Sequence, residues 1–209
     1  MRFLITAGPT REYLDAIRFI SNPSSGIMGY TLARTARQLG HQVTLITGPT
    51  NLAPPRGVRI VKTETTQAMH TAVRKFFPKC DCLVMAAAVS DYRPLHKFGG
   101  KLKKKTSFNL KLTRTLDILK EISRRKGKRL LVGFALEVSH GRRNALHKLH
   151  HKNLDYIVLN TPAALGSSKT TAAILNSQKL IKQFRNIPKS TLSRYLVTLV
   201  NHARKPASK

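Results

Sequence analysis

The sequence predicts an α/β fold: a Rossmann-like three-layer sandwich with a mostly parallel sheet and a flap or β extension. Three observations carry this. Short apolar runs alternate along the chain with segments of helical period, as βαβ units require. The run Cys82–Ala88 is apolar without alternation, as a strand covered on both faces must be. The apolar runs also end in small or turn residues, Gly8-Pro9-Thr10 and Thr47-Gly48-Pro49 among them.

The elements follow in order. Residues 2–7 form a strand, and residues 11–25 lack periodicity and read as a loop. Met28, Leu32, Ala33, Ala36 and Leu39 share one face of a helix over 26–39 that Gly40 stops. Strands follow at 42–46 and 58–62, then a helix at 66–77 with Met69, Val73 and Phe76 inward. After the buried strand 82–88, the segment 93–112 reads as an insertion or flap, with an exposed strand at 108–112. A helix at 116–125, a strand at 130–134, a basic helix at 142–151 and a short strand at 156–159 continue the alternation. A hairpin at 171–175 and 179–184 and a helix at 191–203 end it. With no repeat and no linker, residues 1–203 form one domain and 204–209 a loose tail.

The chain of 209 residues is 41% hydrophobic, which excludes a disordered protein. Its longest apolar run is too short to span a bilayer, and the N-terminus lacks a signal-peptide pattern, so a cytoplasmic protein is expected. Cys80 and Cys82 cannot supply four metal ligands and read as two reduced thiols at the start of a strand. Thirty-eight Lys and Arg against nine Asp and Glu give a formal charge of +29. Such a field attracts nucleic acid or small phosphorylated molecules without choosing between them.

In parallel sheets ligands bind where strands end. Four segments there carry candidate chemistry. Ser21–Gly29 (SNPSSGIMG) opens a helix with small residues, so free N–H groups and the helix dipole meet beside Ser24, Gly26 and Gly29. An ordinary N-cap explains the same pattern. It is not a dinucleotide fingerprint: the first turn, at Gly8, is Gly-Pro-Thr, and the second strand ends without an acidic residue. In Met85–Pro94, Ala87 and Ala88 let a ligand lie against backbone, and Asp91 accepts a hydrogen bond from a ligand or caps a turn. The Lys101–Lys105 cluster follows two glycines. It is either a solvated loop or a mobile source of cationic charge for a phosphate transition state. Lys148 and Lys152, four apart and preceded by Val132-Gly133-Phe134-Ala135, share a helix face that either binds an anion or simply faces solvent. No spacing supports a Ser-His-Asp set or paired carboxylates, which leaves anion binding and charge stabilisation as the available chemistry.

Taken together these segments resemble the phosphopantothenoylcysteine synthetase family, the ligase half of the bacterial bifunctional coenzyme A biosynthesis enzyme. The resemblance runs through ITAGPTRE (5–12), IRFISNPSSGIMG (17–29), VTLITGP (43–49), AAAVSDYRP (86–94), KLKK (101–104), VGFALE (132–137) and KNLDYIVLN (152–160). The chain begins at the ligase strand and looks like a stand-alone synthetase, with any flavin-dependent decarboxylase on a separate chain.

The resemblance implies that 4′-phosphopantothenate and L-cysteine are joined through an acyl-nucleotide, with magnesium and CTP, ahead of ATP, as the nucleoside triphosphate, in a homodimer. It makes Asn22 and Lys101 the catalytic residues. Arg18, Asn22, Ala87 and Ala88 bind the substrate. Gly8, Ser24, Gly26, Gly29, Asp91, Lys101, Phe134, Lys148 and Lys152 bind the nucleotide; metal-binding residues are not identified. The sequence departs from the family pattern at Ile27, at Thr115–Ile118, at Leu136 and Val138, and after Asn160. A basic nucleic-acid-binding protein or an inactive scaffold on the same fold are the alternatives. The first leaves Asn22 and Asp91 without a role, and its expected aromatics are scarce, at 6%.

Overall fold

The computed structural model describes residues 1–103, 106–137 and 141–204. β1 (Arg2–Ala7) lies inside an eight-stranded sheet and is buried from Phe3 to Ala7. Its side chains alternate between two cores. Phe3, Ile5 and Ala7 face one and Leu4 faces the other, as the two-residue period of a strand dictates.

The chain next forms a short antiparallel hairpin, β2 (Arg11–Tyr13) with β3 (Phe19–Ser21), outside the main sheet. α1 (Ile27–Gln38) then returns to β4 (Gln42–Thr47), which pairs parallel with β1, and β5 (Arg59–Lys62) forms that edge. α2 (Thr66–Phe76) crosses to β6 (Cys82–Met85) on the other side of β1. β7 (Tyr92–Pro94) and β8 (Leu112–Arg114) make a second small hairpin. α3 (Ile118–Ser123), β9 (Leu130–Leu136), α4 (Gly141–His151) and β10 (Tyr156–Asn160) extend the parallel ladder. β11 (Lys169–Leu175) and β12 (Leu180–Pro188) complete it as an antiparallel hairpin. The order is β12-β11-β10-β9-β6-β1-β4-β5.

α1 and α5 (Lys189–Arg204) cover one face of the sheet, and α2, α3 and α4 cover the other. The three-layer, mostly parallel architecture expected from the sequence is therefore present. Cys80 and Cys82 are buried free thiols, one in each core, and burial pushes Cys80 up to about 12. No helix among the described residues is long and apolar enough to cross a membrane.

Several boundaries move for physical reasons. Residues 11–25 are not simply a loop: β2 and β3 are three residues each, too short to show a period. The exposed strand expected at 108–112 lies at Leu112–Arg114, placed by pairing with β7 and not by its own alternation. The strand read as 82–88 leaves its ladders after Met85, and Ala88 keeps only a bridge to Pro9. α3 starts at Ile118 because the Asp117 side chain caps it, accepting from Lys120 N–H at 3.0 Å. α5 starts directly after Pro188 and keeps Arg204 helical. Lys104 and Lys105 of the lysine cluster, Val138, and 205–209 of the expected tail lie outside the described residues.

Candidate functional site

The carboxyl ends of β1 and β4 approach so closely that side chains are excluded. A Cβ built on Gly48 falls 1.6 Å from the Pro9 carbonyl oxygen, so the two strand-end loops cross at backbone contact. Gly26, at φ +78°, is the N-cap of α1, and a Cβ there falls 2.7 Å from Thr50 Cγ2. Gly29 packs on Ala7, and Gly8 accepts the Ala88 N–H at 2.9 Å. These contacts seat the start of α1 against the ends of β1 and β6. The Gly26 cap has no side chain to bond α1; Ile27 N–H reaches only the Ser25 hydroxyl, at a long 3.5 Å, and the N–H groups that follow face a ligand.

A cavity of about 850 Å³ opens there. Its wall includes Asn22, Ser24, Gly26, Ala87, Ala88, Asp91, Phe134, Lys148 and Lys152. Gly8, Gly29, Arg18 and Lys101 are not on it; the first two act through packing beneath the α1 start. The Asn22 side-chain N–H group donates to the carbonyls of Ala88 (3.2 Å) and Val89 (3.0 Å). Two carbonyl acceptors fix the amide orientation and leave its oxygen for a ligand.

Lys148 of α4 and Lys152 just past its end do not simply face solvent. Lys148 pairs with Glu137 at 2.7 Å, and Lys152 with Asp117 at 2.8 Å. Burial alone would raise both carboxyls; hydrogen bonds from Lys148 and Asn144 to Glu137, and from Lys152 and the Lys120 N–H to Asp117, outweigh it and hold both below the usual range. The acids thus aim two cations from one helix face at the cavity region. In the sequence Glu137 stood only within the matching VGFALE segment and Asp117 only within the divergent Thr115–Ile118 segment, neither with a role of its own.

Arg18 and Lys101 sit together on the flap side. Asp15, fully buried, accepts from the N–H groups of Ile17 (2.8 Å), Arg18 (2.7 Å) and Leu102 (3.0 Å) and pairs with the Arg18 guanidinium at 3.4 Å. Those backbone bonds, Arg18's first, hold the carboxyl down at about 2. Arg18 also donates to the Leu102 carbonyl at 3.3 Å, and Ala16 N–H to that of Gly100 at 3.1 Å. Lys101 is therefore bracketed by two anchored neighbours while its own side chain is exposed. Sequence reasoning missed Asp15. Its signal was rarity, since an acid among nine in a chain of +29 has a partner to hold. Glu12 was missed for the same reason: buried on β2, it accepts the Thr66 N–H at 2.8 Å at the start of α2.

No cluster of three His, Cys, Asp or Glu exists among the described residues, so a metal held by protein side chains alone has no site there. The arrangement suits an anion: one cavity is lined by a helix start, a small-residue wall and oriented cations.

The chain is 38% identical over 203 residues to the coenzyme A biosynthesis bifunctional protein CoaBC of Borreliella burgdorferi, a match covering 95% of this chain and 52% of that protein. It is 43% identical over 166 residues to CoaBC of Bacillus subtilis, covering 78% and 41%. The chain thus spans about half the length of these relatives. The crystal structure of the C-terminal domain of a CoaBC superimposes with a TM-score of 0.84 at 36% identity, covering 97% of this chain and 94% of that one. Residues 1–203 match the family model described as the DNA/pantothenate metabolism flavoprotein C-terminal domain, and the chain belongs to that family.

Proposed function

We propose that this chain is a phosphopantothenate–cysteine ligase of coenzyme A biosynthesis, acting in the cytoplasm. The observation that carries the reading is the Asn22 amide, locked to the Ala88 and Val89 carbonyls at the mouth of an uncapped helix start. In the proposed reaction the carboxylate of 4′-phosphopantothenate attacks the α-phosphorus of a nucleoside triphosphate. The bond to pyrophosphate breaks, giving an acyl-nucleotide. The amine of L-cysteine then attacks the acyl carbon, loses a proton and expels the nucleoside monophosphate.

In this reading the free oxygen of Asn22 and the Ala87–Ala88 backbone position phosphopantothenate. The α1 start with Ser24 and Gly26 receives phosphoryl oxygens, and Lys148 and Lys152 neutralise further phosphate charge. Lys101 reaches the reacting phosphate when the flap closes over the cavity, with Arg18 beside it. Magnesium accompanies the triphosphate and needs only one or two protein carboxylates; Asp91 and Asp117, both on the cavity wall, fit that need. It would neutralise phosphate charge. CTP is proposed ahead of ATP.

A homodimer is part of the proposal. Ile17, Phe19, Tyr92, Leu95, Phe98 and Leu112 expose apolar surface on and beside the two small hairpins, more than a monomer's flap region needs. A flavin-dependent decarboxylase would consume the product.

The test is pyrophosphate release with 4′-phosphopantothenate, magnesium and CTP or ATP, with and without L-cysteine. Release that requires phosphopantothenate supports the activation step, and the faster nucleotide identifies the base. No release with either nucleotide from folded protein sinks the reading.

A further inference from the structure

Lys189, the first residue of α5, is only 6% exposed yet lines the cavity. Its ammonium donates to the Ala164 carbonyl at 2.9 Å, a buried bond, which uses one of its three N–H donors. No carboxylate pairs with it among the described residues, and burial alone lowers its pKa. The group is well anchored: its backbone N–H donates to Ser168 O at 3.0 Å, and its carbonyl accepts from the buried Ser193 hydroxyl at 2.8 Å. A second polar group on the same cavity wall is also incomplete. The Asn160 side-chain oxygen is buried without a hydrogen-bond partner.

An unpaired buried cation costs far more than a paired one, and a lysine needing only to hold a turn would be better served by a neutral donor. Of the other cations on the wall, Lys148 and Lys152 each have an acid, and Arg114 is exposed to solvent. Lys189 differs in being buried with two free donors and, among the described residues, no protein anion against its charge.

We propose that Lys189 is a ligand-binding residue whose ammonium takes a phosphoryl oxygen of the bound substrate at the β10–α5 end of the cavity. The Ala164 carbonyl orients the ammonium, and the helix start behind it adds to the positive potential. Asn160 supplies the acceptor for a hydroxyl or amine next to that phosphate. This deepens the ligase reading by adding a residue to the nucleotide or phosphopantothenate site, and it rests on that reading for which substrate arrives.

The test is calorimetric binding of inorganic pyrophosphate and of 4′-phosphopantothenate, separately, to the wild type and to Lys189→Met, Lys189→Arg and Lys182→Met. Lys182 is an exposed cation on β12 and serves as a charge control. Methionine fills the volume of lysine without the charge. The expected result is a roughly ten- to hundredfold loss of affinity for one ligand in Lys189→Met, the size of a charged hydrogen bond. Lys189→Arg should restore much of it, and Lys182→Met should leave it within about twofold. The ligand that weakens identifies the phosphate. Unchanged affinity for both in Lys189→Met overturns the proposal. So does equal loss of both with a large drop in melting temperature and no rescue by arginine, which would make Lys189 a structural clamp. Because the readout is binding, it stands even if no ligation is found.

Discussion

The Asp15 carboxylate and the Leu102 N–H, 87 residues apart, meet at 3.0 Å inside the protein. One buried acid thus ties the β2–β3 turn, Arg18 and the flap residue next to Lys101 into one unit. Asp15→Ala should release the flap while leaving the main sheet intact. The expected result is loss of hydrogen-exchange protection at the Leu102 amide, with turnover down roughly tenfold or more. Unchanged protection would show that the flap is held by other contacts.

The same carboxyl gives a pH prediction. Its folded pKa of about 2 is depressed below the unfolded value. Its contribution is therefore complete above the unfolded pKa of about 4, falls progressively below it and is gone once pH has dropped through about 2. Leu102 protection, corrected for intrinsic exchange, should be flat from pH 7 to 4 in the wild type. A decline centred near pH 4 would mean that Asp15 is not held as the hydrogen bonds require.

Gly48 and Gly40 test packing against backbone strain. A Cβ at Gly48 collides with the Pro9 backbone at 1.6 Å, whereas one at Gly40, at φ +83°, meets nothing within 4 Å. Gly48→Ala should cost about 3 kcal/mol or more, and Gly40→Ala about 1 to 2 kcal/mol from the left-handed conformation alone. In a protein of this size the first corresponds to a fall of roughly 6–12 °C in melting temperature. Equal effects would mean that the loop crossing relaxes easily.

These particulars show what was legible in the sequence. Strands buried on both faces and helices of regular period announce themselves, so β1, β6, α1 and α2 were readable. The hairpins β2–β3 and β7–β8 were not, because three-residue strands exist only through their partners. At the site, small residues and lysines were visible as types. The acids that aim them were not, because Lys152 with Asp117 and Arg18 with Asp15 follow from tertiary approach or turn geometry and not from a motif.

Lys152 and Asp117 should separate binding from stability. Asp117 both caps α3 and pairs with Lys152, so Asp117→Ala should cost about 1 kcal/mol through the lost cap. Lys152→Met keeps the cap, so stability should change by less than about 1 kcal/mol while nucleotide affinity falls roughly tenfold. Chemical denaturation and nucleotide titration distinguish the two. A Lys152→Met protein with full affinity would remove that lysine from the nucleotide site.

Asn22→Asp is the sharpest single change at the site. The replacement is nearly isosteric but exchanges one amide nitrogen with two N–H donors for an acceptor oxygen that would face the Ala88 and Val89 carbonyls. The side chain must swing away or take up a proton, and either removes the fixed oxygen offered to the ligand. Asn22 is exposed, so the fold has little at stake, and the melting temperature should stay within about 3 °C of the wild type. Turnover should fall about a hundredfold or more, as when a preorganised polar group is lost. Lys101→Gln should do the same from the flap side, with the fold again unchanged because its side chain is solvent-exposed. Full activity in both variants would detach Asn22 and Lys101 from the chemistry and leave the cavity's own lysines to carry it.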